Sequence, residues 1–210
     1  MLNLFIKDYI FSKKILLFSF IYCLAVPIII SLDHDARYYL ADFLIPIALV
    51  TAPLVKLMQR EDTKSGLIFQ KTLPYSAYKR VGARFAFVMS LLALSGIILS
   101  GVKQFIFKIG SFGELFKASI PALLGFAAYF TIYMTVFYWK GYFATQFCIY
   151  ILIIGVVMGK KLINEDILRL IKPVMENKTM TALAIVGFMI VMYIISCLLE
   201  QRRKLDTINA

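Results

Sequence analysis

Apolar and polar positions follow one another along this chain in blocks rather than as single residues. Six apolar stretches are separated by short segments that carry most of the charged residues. Crossing the hydrocarbon core of a bilayer takes roughly 17–25 mostly apolar residues in a helix, and every stretch has such a length. The pattern therefore predicts six transmembrane helices, over Ile15–Leu32, Tyr38–Val55, Phe85–Val102, Ala118–Trp139, Phe143–Gly159 and Met180–Leu199.

Composition agrees with a membrane protein and leaves no room for a second domain. Apolar residues make up 61% of the chain, against roughly 45–50% in soluble domains. The longest segments between the stretches have roughly thirty residues, too few for a soluble domain of their own. We expect an all-α polytopic fold, with one transmembrane domain over residues 1–210.

The distribution of basic residues predicts the orientation. With a cytoplasmic N-terminus, the inner segments hold 14 of the 23 Lys and Arg residues and the outer segments hold 9. This excess follows the positive-inside rule. We therefore expect both termini in the cytoplasm of a multi-pass protein, and the abundant Ile and Lys are typical of a bacterial source. The net charge of +11 then reflects orientation rather than nucleic-acid binding.

The residues that membrane enzymes use are scarce in the stretches. The single histidine, His34, lies in the turn Asp33-His34-Asp35, where no second ligand of its kind is near for a metal. Ser95 and Ser100 resemble the serine of an intramembrane protease, but no histidine lies in a stretch to activate them. As small residues they favour close helix packing instead. The sequence predicts that the chain is not an enzyme.

The sequence also lacks the residues by which a transporter couples itself to protons or to ATP. No acidic residue occupies the middle of a stretch, which argues against a proton-relay pump. No Gly-rich loop ending in Gly-Lys-Ser/Thr is present to bind ATP by that route. Uphill transport by this chain would require energy from a partner.

The segment from Lys56 to Arg84 is predicted to be helix, break, helix. Thr63 or Ser65 can cap the first helix. Pro74 disfavours helix at the residue before it, so the first helix should end there. Ser76 is well placed to cap the next helix.

The first of these two helices carries the apolar residues Leu67, Ile68 and Phe69. Exposed on a compact helix, they suit a groove on a soluble protein. An interfacial helix anchored to anionic lipid explains the same pattern. Both interpretations stay open at this point.

Two further segments are predicted to be helical outside the apolar stretches. Met1–Lys14 is amphipathic and is expected to form an elbow along the inner headgroups before the chain turns into the first span. On the outer side, residues 160–178 include Asn164, which can cap an amphipathic helix with Glu165 and Asp166 in its first turn. That helix either covers a pathway or rests on lipid.

The whole pattern resembles the membrane subunits of exporters in the ABC type-2 permease family. The shared features are an elbow, six spans, a helical loop after the second span and a short outer helix between the fifth and sixth. Locally, Glu61-Asp62 is followed by Leu73-Pro74-Tyr75-Ser76 and then by Arg84. Family members often have an acidic pair, then Leu-Pro-x-Ser/Thr, then a basic residue leading into the third span. Ala77 stands where the family usually has Arg.

The resemblance implies a role for the loop over residues 59–80. Glu61–Leu73 would include the coupling helix that docks in a cleft of a separate ATP-binding-cassette ATPase, which would bind ATP and magnesium; this chain would hold no cofactor. The implied coupling residues are Glu61, Asp62, Leu67, Ile68, Phe69, Leu73 and Pro74.

The resemblance further implies that two such subunits, identical or related, pair to enclose a path through the membrane. Amphipathic peptides or hydrophobic compounds would suit an interior rich in aromatic residues, with 12 Tyr and 18 Phe in the chain. Two alternatives remain: a substrate-binding membrane subunit of an ATP-driven importer, and a non-transporting immunity or assembly protein.

Overall fold

A computed structural model describes residues 2–31, 39–162 and 178–206 of the chain. These residues form seven helices, and no strand occurs among them. The prediction of an all-α fold is confirmed for this part of the chain. The helices are α1 (Leu2–Ser31), α2 (Tyr39–Glu61), α3 (Lys64–Thr72), α4 (Ala77–Phe105), α5 (Phe112–Lys140), α6 (Tyr142–Leu162) and α7 (Lys178–Asp206).

Five of the helices are long and apolar enough to cross a membrane: α1, α2, α4, α5 and α7. The predicted fifth stretch lies in α6, whose described side chains form a shorter apolar segment, Tyr142–Leu152. A multi-pass arrangement is therefore supported. The sixth span, and the side of the membrane on which the termini lie, stay predictions.

The first helix differs from the expected elbow followed by a span. The predicted turn near Lys14 is absent, since α1 is one helix over Leu2–Ser31. The physical reason is local: no glycine or proline occurs between Leu2 and Val26, so nothing interrupts the backbone hydrogen bonds. That residues 1–14 lie at the headgroups stays a prediction.

The described chain divides into two compact units, Met1–Ala127 and Ala128–Ala210. In the first unit α1, α2 and α4 pack against one another, and α3 packs against α2. In the second unit the Tyr129 hydroxyl of α5 donates to the Cys148 carbonyl of α6 at 3.0 Å. The hydroxyls of Thr135 on α5 and Ser196 on α7 lie 2.9 Å apart. A single transmembrane domain stays a prediction.

The buried face of α1 combines the apolar residues Leu4 and Pro27 with small or polar ones. Asp8, Ser12, Ser19 and Cys23 are buried there, while large apolar side chains of the same helix are exposed. The Ser12 hydroxyl donates to the Asp8 carbonyl of its own helix at 2.7 Å, so its burial leaves no donor unmet. Small residues let helices approach closely in a membrane, whereas lipid accommodates large apolar side chains.

On α4, Gly96 has the packing role that its size predicts, and Ser95 and Ser100 are fully buried. A Cβ on Gly96 would lie 2.6 Å from the Leu123 side chain of α5, so α4 and α5 approach closely there. The hydroxyls of Ser95 and Ser100 donate to carbonyls of α4 itself, at 2.7 and 2.8 Å.

Two predicted features lie outside the described residues. The turn containing His34 falls within 32–38, and most of the outer segment 160–178, including the predicted cap Asn164, falls within 163–177.

Candidate functional site

The connection between α2 and α4 has the predicted form of helix, break, helix. The Thr63 hydroxyl caps α3 by accepting from the Gly66 amide at 3.2 Å, and it donates to the Arg60 carbonyl at 2.7 Å. A Cβ on Gly66 would lie 2.2 Å from that same carbonyl oxygen. The turn from α2 into α3 therefore requires glycine at this position, because backbone atoms leave no space for a side chain.

The far end of α3 is defined by a proline. Leu73 has an extended backbone, with φ −72° and ψ 132°, as expected for a residue before proline. Ser76 occupies the N-cap position of α4, but its side chain makes no capping hydrogen bond. Instead, the Arg80 guanidinium donates to the Tyr75 carbonyl at 2.8 Å and holds the break against α4.

The predicted coupling residues differ in how far their side chains are exposed. Ile68 and Phe69 are 55% and 50% exposed on α3, and Pro74 is also exposed. Asp62 and Leu73 are half-buried, and the Leu67 side chain lies outside the described part of the structure. An exposed apolar pair on a short helix fixed at both ends is the accessible part of the predicted set.

Glu61 faces the interior of the unit, where it joins a network of charges. Arg84 on α4 donates from Nη2 to Glu61 and from Nε to Asp8 Oδ2 at 2.9 Å. Lys7 Nζ lies 3.4 Å from Asp8 Oδ1 and 3.5 Å from Glu61 Oε1. Two acids and two bases from α1, α2 and α4 therefore balance in charge at one point, directly beside α3.

The network is buried deeply enough for its pairing to matter. Asp8 and Arg84 are 2% and 3% exposed. A buried charge that loses its partner costs the fold several kcal/mol, because neither water nor lipid solvates it. The four residues thus fix the relative positions of three helices at the end where α3 begins.

The sequence interpretation missed Asp8 and gave Arg84 a different role. Arg84 is predicted as one of the inner basic residues that set the orientation, and the structure adds that its side chain is buried and paired with Asp8 and Glu61. A signal for Asp8 was present: Asp8, Ser12, Ser19 and Cys23 recur at intervals of four and seven, which places them on one side of a helix. A small polar stripe of this kind indicates a helix contact in a membrane.

A cavity of about 270 Å³ separates part of α3 from α1. Its walls include Lys7 and Phe11 of α1 and Phe69 of α3. Arg60 also lines it, with its guanidinium carbon 4.0 Å from the centroid of the Phe11 ring. The cavity lies between α3 and α1, whereas α3 packs directly on α2. The end of α2 that adjoins α3 is therefore joined to α1 through the charge network.

A second ion pair lies at the opposite end of α2 and α4. Lys103 Nζ is 2.5 Å from Asp42 Oδ1. Asp42 and Glu61 are 19 residues apart on α2, and Arg84 and Lys103 are 19 residues apart on α4. A helix rises about 1.5 Å per residue, so the two ionic layers are about 28 Å apart. This separation is close to the hydrocarbon thickness of a bilayer, about 30 Å.

Comparison with known proteins gives one match. A family model described as "ABC-2 family transporter protein" matches residues 3–202, nearly the whole chain. No curated protein and no solved structure matches the chain.

Proposed function

This chain belongs to the ABC-2 transporter family, and from that membership we propose that it is the membrane subunit of an ATP-driven exporter. The match confirms the resemblance drawn from the elbow, the spans and the loop motif. Together with the apolar helices it identifies a multi-pass membrane component of a transporter. Membrane subunits of this family work with an ATP-binding subunit, and the exporter direction and the assembly below are our proposal.

The proposed motor is a separate ATP-binding-cassette ATPase that binds ATP and magnesium on the cytoplasmic side. Two membrane subunits, identical or related, pair around a path for amphipathic peptides or hydrophobic compounds. In this arrangement both termini and α3 face the cytoplasm. The excess of basic residues in those segments supports this orientation.

The observation that carries the proposal is the exposed pair Ile68 and Phe69 on α3. A soluble partner gains affinity by enclosing such side chains in an apolar cleft, since fully buried aromatic and aliphatic anchors dominate binding energy. The cap at Thr63 and the break at Pro74 hold the helix that presents them. Of the two interpretations of this loop, docking on a soluble protein fits the family better than lipid anchoring.

The charge network supplies a route for force. Movement of α3 acts on the end of α2, and Glu61 there is paired with Arg84 of α4 and Lys7 of α1. ATP-driven closure of the ATPase would therefore move three membrane helices together at their cytoplasmic ends. Glu61 acts in this scheme as a positioning residue behind the docking surface.

The experiment is co-purification of the chain with a candidate ATPase from native membranes, followed by assay in vesicles. Phe69→Asp is expected to reduce ATPase retention at least tenfold and to abolish substrate-stimulated hydrolysis, because the charge would enter an apolar cleft. The matched control is Phe105→Asp, an exposed aromatic at the opposite end of α4. It should retain the ATPase.

Three results would contradict the proposal. Equal ATPase retention by the two variants would remove the docking role from α3. ATP-driven movement of substrate toward the ATPase side would identify an importer. A chain that purifies from native membranes with no ATPase would favour an immunity or assembly protein.

A further inference from the structure

A groove on the surface of the first unit follows α1 along the membrane side of the charge network. Tyr9, Lys13, Leu16, Leu17 and Phe20 line it. Their spacing of four, three, one and three residues places them on one face of the helix. From Tyr9 to Phe20 the groove extends about 17 Å along α1.

The opposite walls of the groove are also apolar. Leu49 of α2 and Leu91 and Leu94 of α4 complete the lining. The groove has a volume of about 240 Å³, below the roughly 300–1,000 Å³ of sites that enclose a drug-sized molecule. A long, narrow, apolar groove of this size suits a single hydrocarbon chain.

Lys13 gives the groove a charged end. It is exposed and forms no ion pair with any carboxylate in the described ranges, whereas the nearby Lys7 is paired with Asp8 and Glu61. Lys13 lies five residues beyond Asp8, about 7.5 Å toward the membrane centre from the ionic layer. Helical side chains lean toward the N-terminus, so the ammonium group reaches back toward Tyr9 and the headgroup level.

We propose that this groove is a binding site for an anionic phospholipid. One acyl chain lies along the leucine-lined groove, and the headgroup phosphate pairs with the Lys13 ammonium and accepts a hydrogen bond from the Tyr9 hydroxyl. The unpaired cation at the headgroup level selects a lipid of net negative charge over a zwitterionic lipid. The site requires only that α1 spans the membrane, and is independent of the transport direction and of the ATPase.

Native mass spectrometry of the purified full-length chain tests the site with phosphatidylglycerol and phosphatidylcholine as probes. Lys13→Gln is expected to weaken phosphatidylglycerol binding about fivefold, the effect of one basic residue near an anionic surface. The matched control is Lys14→Gln, which removes the same charge at the same depth from an exposed residue outside the groove. It should leave phosphatidylglycerol binding unchanged. Lys13→Gln should weaken phosphatidylcholine binding less than phosphatidylglycerol binding, because the choline cation offsets the charge of the phosphate.

A phosphatidylglycerol with a photoreactive acyl chain provides the second measurement. Labelling is expected on the peptide containing Leu91 and Leu94. Equal losses in the two lysine variants would indicate nonspecific attraction to charge and overturn the proposal. Equal binding of the two lipids, labelling only elsewhere, or crosslinking of a Leu17→Cys variant to a second copy of the chain would also overturn it.

Discussion

Each end of α4 carries an ion pair to another helix, but the two pairs differ in burial and in the number of partners. At the α3 end, Arg84 is almost fully buried and is shared between acids of two other helices. At the opposite end, Lys103 pairs with the single acid Asp42, and both side chains are partly exposed. The two contacts are about one bilayer thickness apart along α4, yet only the first joins three helices and adjoins a short helix with an exposed apolar surface.

The difference shows where rigidity is concentrated in the first unit. A partly exposed pair can exchange its partner for water or lipid phosphate, so its loss costs little. A buried network has no such substitute, and its loss leaves charges unpaired. The helix ends next to α3 are therefore held more firmly than the ends near Asp42, which is what the proposed transmission of force from α3 requires.

Removing Arg84 is expected to have the largest effect. Arg84→Met should lower the free energy of unfolding by about 3–5 kcal/mol, because Asp8 and Glu61 stay buried with only Lys7 to balance them. Unfolding in mixed detergent micelles measures the change. Lys103→Met is the matched control at the opposite end and should cost no more than about 1 kcal/mol.

A second variant separates lost charge balance from lost packing. In Asp8→Leu combined with Arg84→Met, one acid and one base leave together, and Lys7 remains paired with Glu61. Most of the stability lost in Arg84→Met should return, since apolar replacement of a buried ion pair is often neutral or stabilising. Equal losses from Arg84→Met and Lys103→Met would erase the contrast between the two ends.

Adding a methyl group at Gly66 is expected to have an intermediate effect. Gly66→Ala should cost about 1–3 kcal/mol, because backbone must move to accommodate the Cβ. Gly101→Ala, near the opposite end of α4, meets no atom within 4 Å. It should be neutral or stabilise the helix by about 0.5–1 kcal/mol. Unfolding measures both changes, and substrate-stimulated ATP hydrolysis should fall in Gly66→Ala alone. A Gly66→Ala variant as stable and as active as Gly101→Ala would show that the α2–α3 turn tolerates a side chain.

The smallest expected effect is the coupling energy between Asp42 and Lys103. A double-mutant cycle with Asp42→Asn and Lys103→Gln should give about 0.2–1 kcal/mol. The equivalent cycle with Asp8→Asn and Arg84→Gln should give a larger value, within the range of about 0.5–3 kcal/mol seen for residues in direct contact. If the Asp42–Lys103 cycle gives the larger value, the firmer end of the unit is the one away from α3.

Local signals predicted the helix α3, the break after it and the helix α4. Thr63 was one of two expected caps, and it caps α3. Pro74 was expected to end the first loop helix, and Leu73 before it is extended. Such features depend on neighbours within four residues, which the sequence displays directly. The helix continues through Lys14 because no glycine or proline there interrupts it, and the position of residues 1–14 at the headgroups stays a prediction.

The rotation of each helix about its axis was not predicted. Asp8 and Arg84 are 76 residues apart in the chain, and their contact depends on which sides of α1 and α4 face each other. In water, the apolar side of a helix would identify the buried face. In a membrane both lipid and protein accept apolar side chains, so hydrophobicity alone does not separate them.

The sequence by itself determined that the chain forms apolar helices of bilayer length with a capped, proline-terminated helix between the second and third stretches. Those properties follow from backbone hydrogen bonding and from the thickness of the hydrocarbon core. Only the tertiary structure decided that Asp8, Glu61, Arg84 and Lys7 meet in one buried network. That meeting is fixed by helix rotation and register, which arise from close packing of small polar residues between helices rather than from the preferences of any single segment.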